Sequence, residues 1–273
     1  MLATKLLALF LCANQTTASQ VTVNIQPISE NRIFLTASDG ESSLYGFSVD
    51  RDVFDVNWRS SEIHVNYNSV YCGALHLDIG GVKMKEKLDN GNYAYGVLIR
   101  GVMSPREFTL TSDGKSHTYR GRSRYLDISS SISGLKKLIE VQPENMAGSN
   151  SYSIGFRAGG SSSGFSGSIS ASTTVTQNAL EIKNTSNIVD GTVQVKYQYN
   201  RHIWPWEWKR TEYCWYDSVQ RCSFFFSSPN PVSYLSVNVK PTFAIDDGKV
   251  GMWNLEMGYE LTGNSYVSAY FPG

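Results

Sequence analysis

The most regular pattern in the chain is an alternation of larger or apolar side chains with serine and threonine between residues 165 and 176. Phe165, Ile169, Ala171 and Val175 lie on one side of this alternation, and every even-numbered position from 166 to 176 is serine or threonine. Successive side chains of a β-strand point to opposite faces of a sheet, so the pattern predicts a strand with one apolar and one polar face.

The segment just before it, "SYSIGFRAGG" at residues 151–160, alternates in the same way, and "SSSG" at residues 161–164 separates the two runs. This arrangement predicts a β-hairpin. No charged residue occurs between Arg157 and Glu181, although 18% of the chain is charged. Edge hairpins of soluble proteins usually carry charges that discourage mispairing. The hairpin is therefore interpreted either as a segment destined for a membrane or as a Ser-rich, half-buried ribbon on a sandwich.

Turn signals recur along the rest of the chain between runs rich in β-branched and aromatic residues, which predicts an all-β protein with ordinary sandwich strands. The turns are Asp39-Gly40, Asn90-Gly91, Asp113-Gly114, Asp190-Gly191 and Asp247-Gly248. The segment "SGLKKLIEV" at residues 133–141 is predicted to form the one short helix, of a turn or two.

The first residues indicate an exported protein. Residues 1–19 have one lysine, an apolar run from Leu6 to Ala13 and then small polar residues, which is the anatomy of a signal peptide with cleavage near Ala18. No later stretch approaches about 20 apolar residues, so no transmembrane helix is expected in a secreted, soluble mature chain. The 24 basic and 24 acidic residues balance, which gives no electrostatic footprint for nucleic acid.

Nine aromatic residues fall within 23 positions in the segment from residue 204 to residue 226. Tryptophan and tyrosine favour membrane interfaces, and nearby arginines can bind lipid phosphates. The candidate membrane-contacting residues are Trp204, Trp206, Trp208, Arg210, Trp215 and Tyr216. Two other interpretations stay open, namely a satellite core under a long loop and a sugar-binding platform made by the three alternating indoles.

Three cysteines remain after removal of the signal peptide. Cys214 and Cys222 are close enough in sequence to staple the two arms of a hairpin, which would leave Cys72 unpaired or paired elsewhere. Three pairings are possible, and the sequence does not choose between them.

Catalytic and metal-binding patterns are weak. "GSSSG" at residues 160–164 matches a nucleophile-elbow pattern, but a β-run follows where that motif needs a helix. The histidines His64, His76, His117 and His202 lie apart in sequence without metal-ligand spacing. We therefore expect no enzyme, no metal and no cofactor.

The order of several segments carries a family resemblance: "LIEVQPENMAGSNSYSIGFRAGG", "GFSGSISASTTVTQN", "LEIKNTSN", "VKYQYN" and "SPNPVSYLSVNVKPTF". In this order the chain resembles the leukocidin/hemolysin family of β-barrel pore-forming toxins, including vibrio-type cytolysins. The resemblance covers roughly residues 135–260. The hairpin is shorter than the usual stem of that family, and the chain ends sooner after "WNLEMGYEL" than family members do.

The resemblance implies a β-sandwich with an amphipathic pre-stem hairpin and an aromatic rim. It implies a cap-like first part at 20–149, a stem hairpin at 150–178, and further sandwich strands at 179–273 with a rim-like segment at 201–227. Lipid-facing positions would be Tyr152, Ile154, Phe156, Phe165, Ile169, Ala171 and Val175. Lumen-facing positions would be Arg157, Ser166, Ser168, Ser170, Ser172 and Thr174.

The implied function is that of a secreted cytolysin. It would bind a target cell membrane through a lipid headgroup or glycan receptor, assemble into a homo-oligomeric ring, and insert one hairpin per subunit into a shared barrel. The alternative is a secreted adhesin or lectin that binds glycans through its Trp-rich surface. A third interpretation is an immunity or decoy homologue that joins the ring without completing it.

Overall fold

A computed structural model describes residues 23–29, 32–37, 47–67, 70–112, 114–147, 151–158, 167–174, 180–199, 217–247 and 256–273. The regular secondary structure within these residues consists of β-strands alone, which confirms the all-β prediction. All strand pairs are antiparallel. The strands form three sheets, and each sheet joins segments that are distant in sequence.

The hairpin sheet has five strands in the order β1 (Val23–Ser29), β2 (Arg32–Ala37), β3 (Ser48–Asp50), β12 (Gly167–Thr174) and β11 (Ser151–Ala158). The central sheet also has five, in the order β4 (Phe54–Tyr67), β5 (Val70–Met84), β6 (Tyr93–Pro105), β15 (Ser218–Ser228) and β9 (Lys137–Gln142).

The outer sheet has eight strands. Its main path runs through β10 (Met146–Ala147), β13 (Leu180–Asn184), β14 (Thr192–Tyr199), β8 (Lys115–Ser131), β16 (Tyr234–Asp247) and β17 (Glu256–Thr262). In addition, β18 (Ser265–Tyr270) pairs with β16, and β7 (Glu107–Ser112) pairs with β8.

The outer and central sheets pack face to face. Strand β14 alternates between exposed or half-buried polar positions and fully buried valines and tyrosines, as expected for a strand with one face in a core. The Tyr197 hydroxyl donates a hydrogen bond to the main-chain carbonyl of Arg221 in β15. The Ser218 hydroxyl donates to the Tyr199 hydroxyl at 3.0 Å. Buried tyrosines thus fill the space between the sheets while their hydroxyls find partners.

The opposite face of the central sheet packs against the hairpin sheet. Trp58 of β4 lies on this face, and its ring meets Phe47, just before β3, edge to face at 6.1 Å between ring centroids. Phe47, Val49 of β3 and Ile154 of β11 are all buried in the same hydrophobic core as the central strands. The molecule therefore has three layers, with the central sheet in the middle.

The prediction of a helix at residues 133–141 is wrong, because residues 137–142 form strand β9. Leu138 and Val141 are both buried, three residues apart, which is a spacing typical of helices. The register of β9 against β15 skips Ile139, since Glu140 pairs with Phe225 and Leu138 with Phe226. This β-bulge puts two apolar residues three apart on one face of a strand and so imitates the helical period.

Two of the predicted turns show why glycine is needed. Gly91 and Gly191 have φ values of 78° and 66°, a region that favours glycine. A Cβ atom on Gly191 would lie 2.1 Å from the main-chain oxygen of Ile132. The Asp190-Gly191 turn can therefore close only with glycine at its second position.

Candidate functional site

The candidate site is the β11–β12 hairpin, whose two strands pair in a continuous register from Ser151–Thr174 to Ala158–Gly167. Ile154 lies opposite Ala171, and Phe156 lies opposite Ile169. Ser153 lies opposite Ser172. Directly opposed residues of an antiparallel pair share a face. The register therefore gathers the apolar positions of both strands on one face and, apart from Thr173, the serine and threonine positions on the other, as the alternation predicts.

The apolar face is the one turned toward the central sheet. Ile154 is only 2% exposed, and Val49, which lies opposite Ile169 on β3, is fully buried. Because Ile154, Ile169 and Val49 occupy the same face of the hairpin sheet, those positions of the predicted lipid-facing set that the structure describes are on the core side. Apart from Thr173, the serine and threonine positions are on the other side.

The hairpin is attached to the rest of its sheet through few backbone pairs. Strand β12 pairs with β3 at two positions, Ile169 with Val49 and Ser170 with Ser48. Strand β11 is the last strand of the hairpin sheet among the described residues. The two strands pair with each other at eight positions, so the hairpin is much more continuous within itself than with its neighbour.

Several predicted site residues lie outside the described residues. These are Phe165, Ser166 and Val175 of the hairpin, and the complete candidate membrane-contacting set Trp204, Trp206, Trp208, Arg210, Trp215 and Tyr216. The structure places Tyr152, Ile154, Phe156, Ile169 and Ala171 on the apolar face by register, and Arg157, Ser168, Ser170, Ser172 and Thr174 on the polar face. Their roles at a membrane stay predictions.

Two of the three cysteines considered for a disulfide, Cys72 and Cys222, are buried. Cys222 is a free thiol in the middle of β15, fully buried, and this burial raises the pKa of its thiol far above the ordinary value. Cys72 is also buried, and its thiol donates a hydrogen bond to the Val70 carbonyl at 3.3 Å. The predicted disulfide between Cys214 and Cys222 is not formed in this structure, where Cys222 is free, and Cys214 itself lies outside the described residues.

The sequence did not reveal a buried ion pair on the face of the central sheet that carries Trp58. Arg100 Nη1 donates to Asp78 Oδ2 at 2.6 Å, and the Ser60 hydroxyl donates to Asp78 Oδ1 at 2.6 Å. Ser60, Asp78 and Arg100 lie directly opposite one another on β4, β5 and β6. The sequence alone does not reveal this pair, because it depends on the register of β4, β5 and β6, which aligns residues that are far apart in sequence.

Two of the four histidines that are apart in sequence meet around one carboxylate. His64 Nε2 lies 3.2 Å and His76 Nδ1 lies 3.5 Å from Glu62 Oε1, on a partly exposed part of β4 and β5. Within the described ranges, however, no three His, Cys, Asp or Glu side chains form a group that could hold a metal ion. In the same ranges, no helix is long and apolar enough to cross a membrane.

No protein-family model and no curated protein matches this chain. Among solved structures, the chain is similar to Clostridium perfringens delta-toxin, with 8% sequence identity and a TM-score of 0.46 over 90% of this chain and 93% of that chain. It is also similar to a structure described as a pore forming protein, with 10% identity and a TM-score of 0.43 over 91% of this chain and 93% of that chain. Similarities at this level assign no function to the chain.

Proposed function

We propose that this chain is a secreted pore-forming toxin that binds target membranes, oligomerises there and inserts its β11–β12 hairpin into a shared transmembrane β-barrel. The observation that carries the proposal is the hairpin itself. It has one apolar and one hydroxyl-rich face in register, and it docks apolar face inward through two backbone-paired positions on β3.

The physics of a barrel explains the composition of the hairpin. Inside a bilayer every backbone N–H and C=O group needs a protein partner, and a closed barrel satisfies all of them. Each strand of such a barrel presents one face to lipid and the other to a water-filled lumen. Serine and threonine suit the lumen, while a charge on the lipid face near the bilayer midplane costs about 2–4 kcal/mol. The one arginine of the paired strands, Arg157, is on the hydroxyl-rich face opposite Ser168.

The docked arrangement supports the same proposal. Before membrane contact, the apolar face needs cover, and burial of Ile154 in the core provides it. On insertion, lipid would replace the core as the partner of this face, so the apolar side chains would stay out of water in both states. Residues 218–227 of the predicted rim segment at 201–227 belong to the buried strand β15, so only its first part, residues 201–216, would make the first contact with lipid or a glycan receptor.

The sharpest test locks the hairpin to its neighbour. The variant Ser48→Cys with Ser170→Cys places thiols at directly opposed positions of β3 and β12, which are close enough for a disulfide. The oxidised variant should release no dye from liposomes or red cells, and a reducing agent should restore release, because insertion requires the hairpin to leave β3.

The matched control is Ser153→Cys with Ser172→Cys, which links β11 to β12 within the hairpin. These two strands stay paired with each other before and after insertion, so this variant should release dye in both redox states. Release by the oxidised Ser48–Ser170 variant at the rate of the unmodified chain would contradict hairpin insertion. Membrane binding without release by the unmodified chain would favour the adhesin or the decoy interpretation.

A further inference from the structure

A groove of mixed polar and apolar lining crosses the solvent-facing side of the outer sheet, on the side of the molecule away from the hairpin sheet. Its volume is about 870 Å³, and strands β8, β14, β16 and β18 contribute to its walls, together with the segment before β16. This volume falls in the range of ordinary ligand pockets, which extend from about 300 to 1,000 Å³.

The floor of the groove is a row of polar side chains at one level of the sheet. Gln194, Ser129, Asn238 and Tyr266 lie opposite one another on four neighbouring strands, β14, β8, β16 and β18. Opposed residues share a face, so all four present to the same side. Further hydroxyl groups line the groove at Ser131 and Thr192, the next paired level. The row combines donors and acceptors without fixed charge.

Exposed tyrosines stand along the β16–β18 side. Tyr234 and Tyr266 line the groove with 59% and 71% of their surface exposed. Tyr270 lies opposite Tyr234 with 6.0 Å between ring centroids. A large aromatic ring held in water at a concave surface is a ready partner for an apolar ligand face, and its hydroxyl adds a hydrogen bond.

Asn238, in the middle of the floor, has an amide oxygen that is buried and accepts no hydrogen bond from the described residues. Buried polar atoms are normally hydrogen-bonded, and each exception needs an explanation. This acceptor has no donor among the described residues, although the residue that carries it lines the groove.

From these observations we propose that the groove binds a neutral oligosaccharide. A sugar presents hydroxyl groups at its edges and polarised C–H bonds on its ring faces, which match the serine, threonine and amide floor and the negative faces of the tyrosine rings. Of the fifteen residues that line the groove, only Lys136 is charged, which disfavours a phosphate-rich or strongly acidic ligand. A second copy of the chain fits less well, because stable protein interfaces have an apolar core.

The proposal is independent of pore formation and of the Trp-rich segment at 201–216. Its test needs no membrane. The purified chain is applied to an array of immobilised neutral oligosaccharides that end in galactose, glucose, mannose, fucose, N-acetylglucosamine or N-acetylgalactosamine. The free oligosaccharide with the strongest signal is then titrated by calorimetry. Tyr234→Ala and Tyr266→Ala should each weaken binding by about three- to tenfold. Tyr266→Phe, which keeps the ring, should lose less affinity for the oligosaccharide than Tyr266→Ala.

Asn238→Ala separates ligand binding from a structural role. Because Asn238 lines the groove and its oxygen accepts no hydrogen bond from the described residues, this variant should weaken oligosaccharide binding while its Tm stays unchanged or rises. Thr109→Ala removes an exposed hydroxyl from β7, outside the groove, and should leave oligosaccharide binding unchanged.

Three results would overturn the proposal. The first is the absence of any array signal above a blank surface. The second is an affinity that stays unchanged in Tyr234→Ala and Tyr266→Ala, including the case in which only Trp204→Ala, Trp206→Ala or Trp208→Ala abolishes binding. The third is that no oligosaccharide binds but Tyr234→Ala and Tyr266→Ala change the sedimentation of the chain. That result would make this face a contact between copies of the chain.

Discussion

Two hairpins of this molecule differ in almost every physical respect. The β4–β5 hairpin has strands of 14 and 15 residues, and β5 is paired on its other side with β6 over eleven positions. The β11–β12 hairpin has two strands of 8 residues and meets its neighbour β3 at two positions. Both hairpins lie at the end of a sheet, but the first belongs to the middle layer and is attached to its neighbour over eleven paired positions, whereas the second is attached over two.

The difference bears on which hairpin could leave its sheet in the proposed insertion. Leaving the central sheet would break a full ladder of hydrogen bonds and expose side chains packed on both sides. Leaving the hairpin sheet would break a short ladder and expose mainly one apolar face. Segments that move in function come from the least stable parts of a fold. The β11–β12 hairpin meets that condition and β4–β5 does not.

The largest effect is expected from breaking the ion pair that links Asp78 of the β4–β5 hairpin to Arg100 of the neighbouring strand β6. Asp78 and Arg100 side chains are only 7% and 6% exposed. Asp78→Ala leaves the Arg100 guanidinium buried without its counter-charge, which should lower the free energy of unfolding by about 3–5 kcal/mol. Urea denaturation measures the change.

An exposed pair gives the control for Asp78→Ala. The ammonium of Lys183 is 3.3 Å from Glu181, and the Lys183 side chain is half exposed. Lys183→Ala should cost less than about 1 kcal/mol. Equal costs for the two substitutions would contradict the burial of the Asp78–Arg100 pair.

A matched pair of core truncations compares the two hairpins directly. Leu77 of β5 and Ile154 of β11 are about equally buried. Leu77→Ala should lower the free energy of unfolding by about 2–5 kcal/mol. Ile154→Ala should lower it by less than about 2 kcal/mol, because the hairpin can open locally before the whole chain unfolds.

Hydrogen exchange distinguishes local opening from global loss of stability. In Ile154→Ala, exchange should accelerate at residues 151–158 and 167–174 and stay slow at residues 70–84. In Leu77→Ala, the protection of the central strands should fall instead. Faster exchange of all sheets together in Ile154→Ala would mean that the hairpin is not a separate unit.

The smallest effect is expected at Asp127 of β8, which belongs to neither hairpin and provides a baseline. Burial raises the pKa of the Asp127 carboxyl, and the nearby Lys196 and Lys240 counteract only part of this rise. A raised folded-state pKa means that the folded chain holds the proton longer than the unfolded chain. Stability should therefore fall slightly as pH rises from about 4, the ordinary aspartate pKa, through the folded-state value.

Asp127→Asn should abolish this pH dependence. At pH 7 the variant should be as stable as the unmodified chain or more stable by less than about 1 kcal/mol, since the site is partly solvated and the Lys196 contact is lost. At pH 3 the two chains should have equal stability. Urea midpoints across this pH range measure both values, with the exposed Glu144→Gln as control. A variant much less stable at pH 7 would contradict the raised pKa.

The faces of the candidate hairpin were predictable because the period of a strand is local. The alternation alone predicts that Ile154, Ile169 and Ala171 share one face, and the strand register places them on one face. The strand beside the hairpin was not predictable, because the backbone pairing of Ile169 with Val49 joins segments that are remote in sequence. Nothing in the pattern around Val49 indicates which strand will lie beside it.

The missed features share a non-local origin. Residues 133–141 read as a helix because the bulge at Ile139 changes the spacing of the buried positions, and a bulge depends on the partner strand. His76 meets Glu62, and Asn238 meets Tyr266, only through the pairing of neighbouring strands. Periodicity identifies the face of one strand, whereas a site needs the alignment of several.

Release of the hairpin would also leave something behind. Strand β3 has three residues, and without β12 it would present unpaired backbone groups beside the apolar Phe47 and Val49. An open strand edge of this kind pairs readily with any extended chain, including the same strand of another copy. The rate at which the purified protein aggregates on storage should therefore depend on how firmly two backbone pairs hold the hairpin. Preparations that lose activity on storage should aggregate before they unfold.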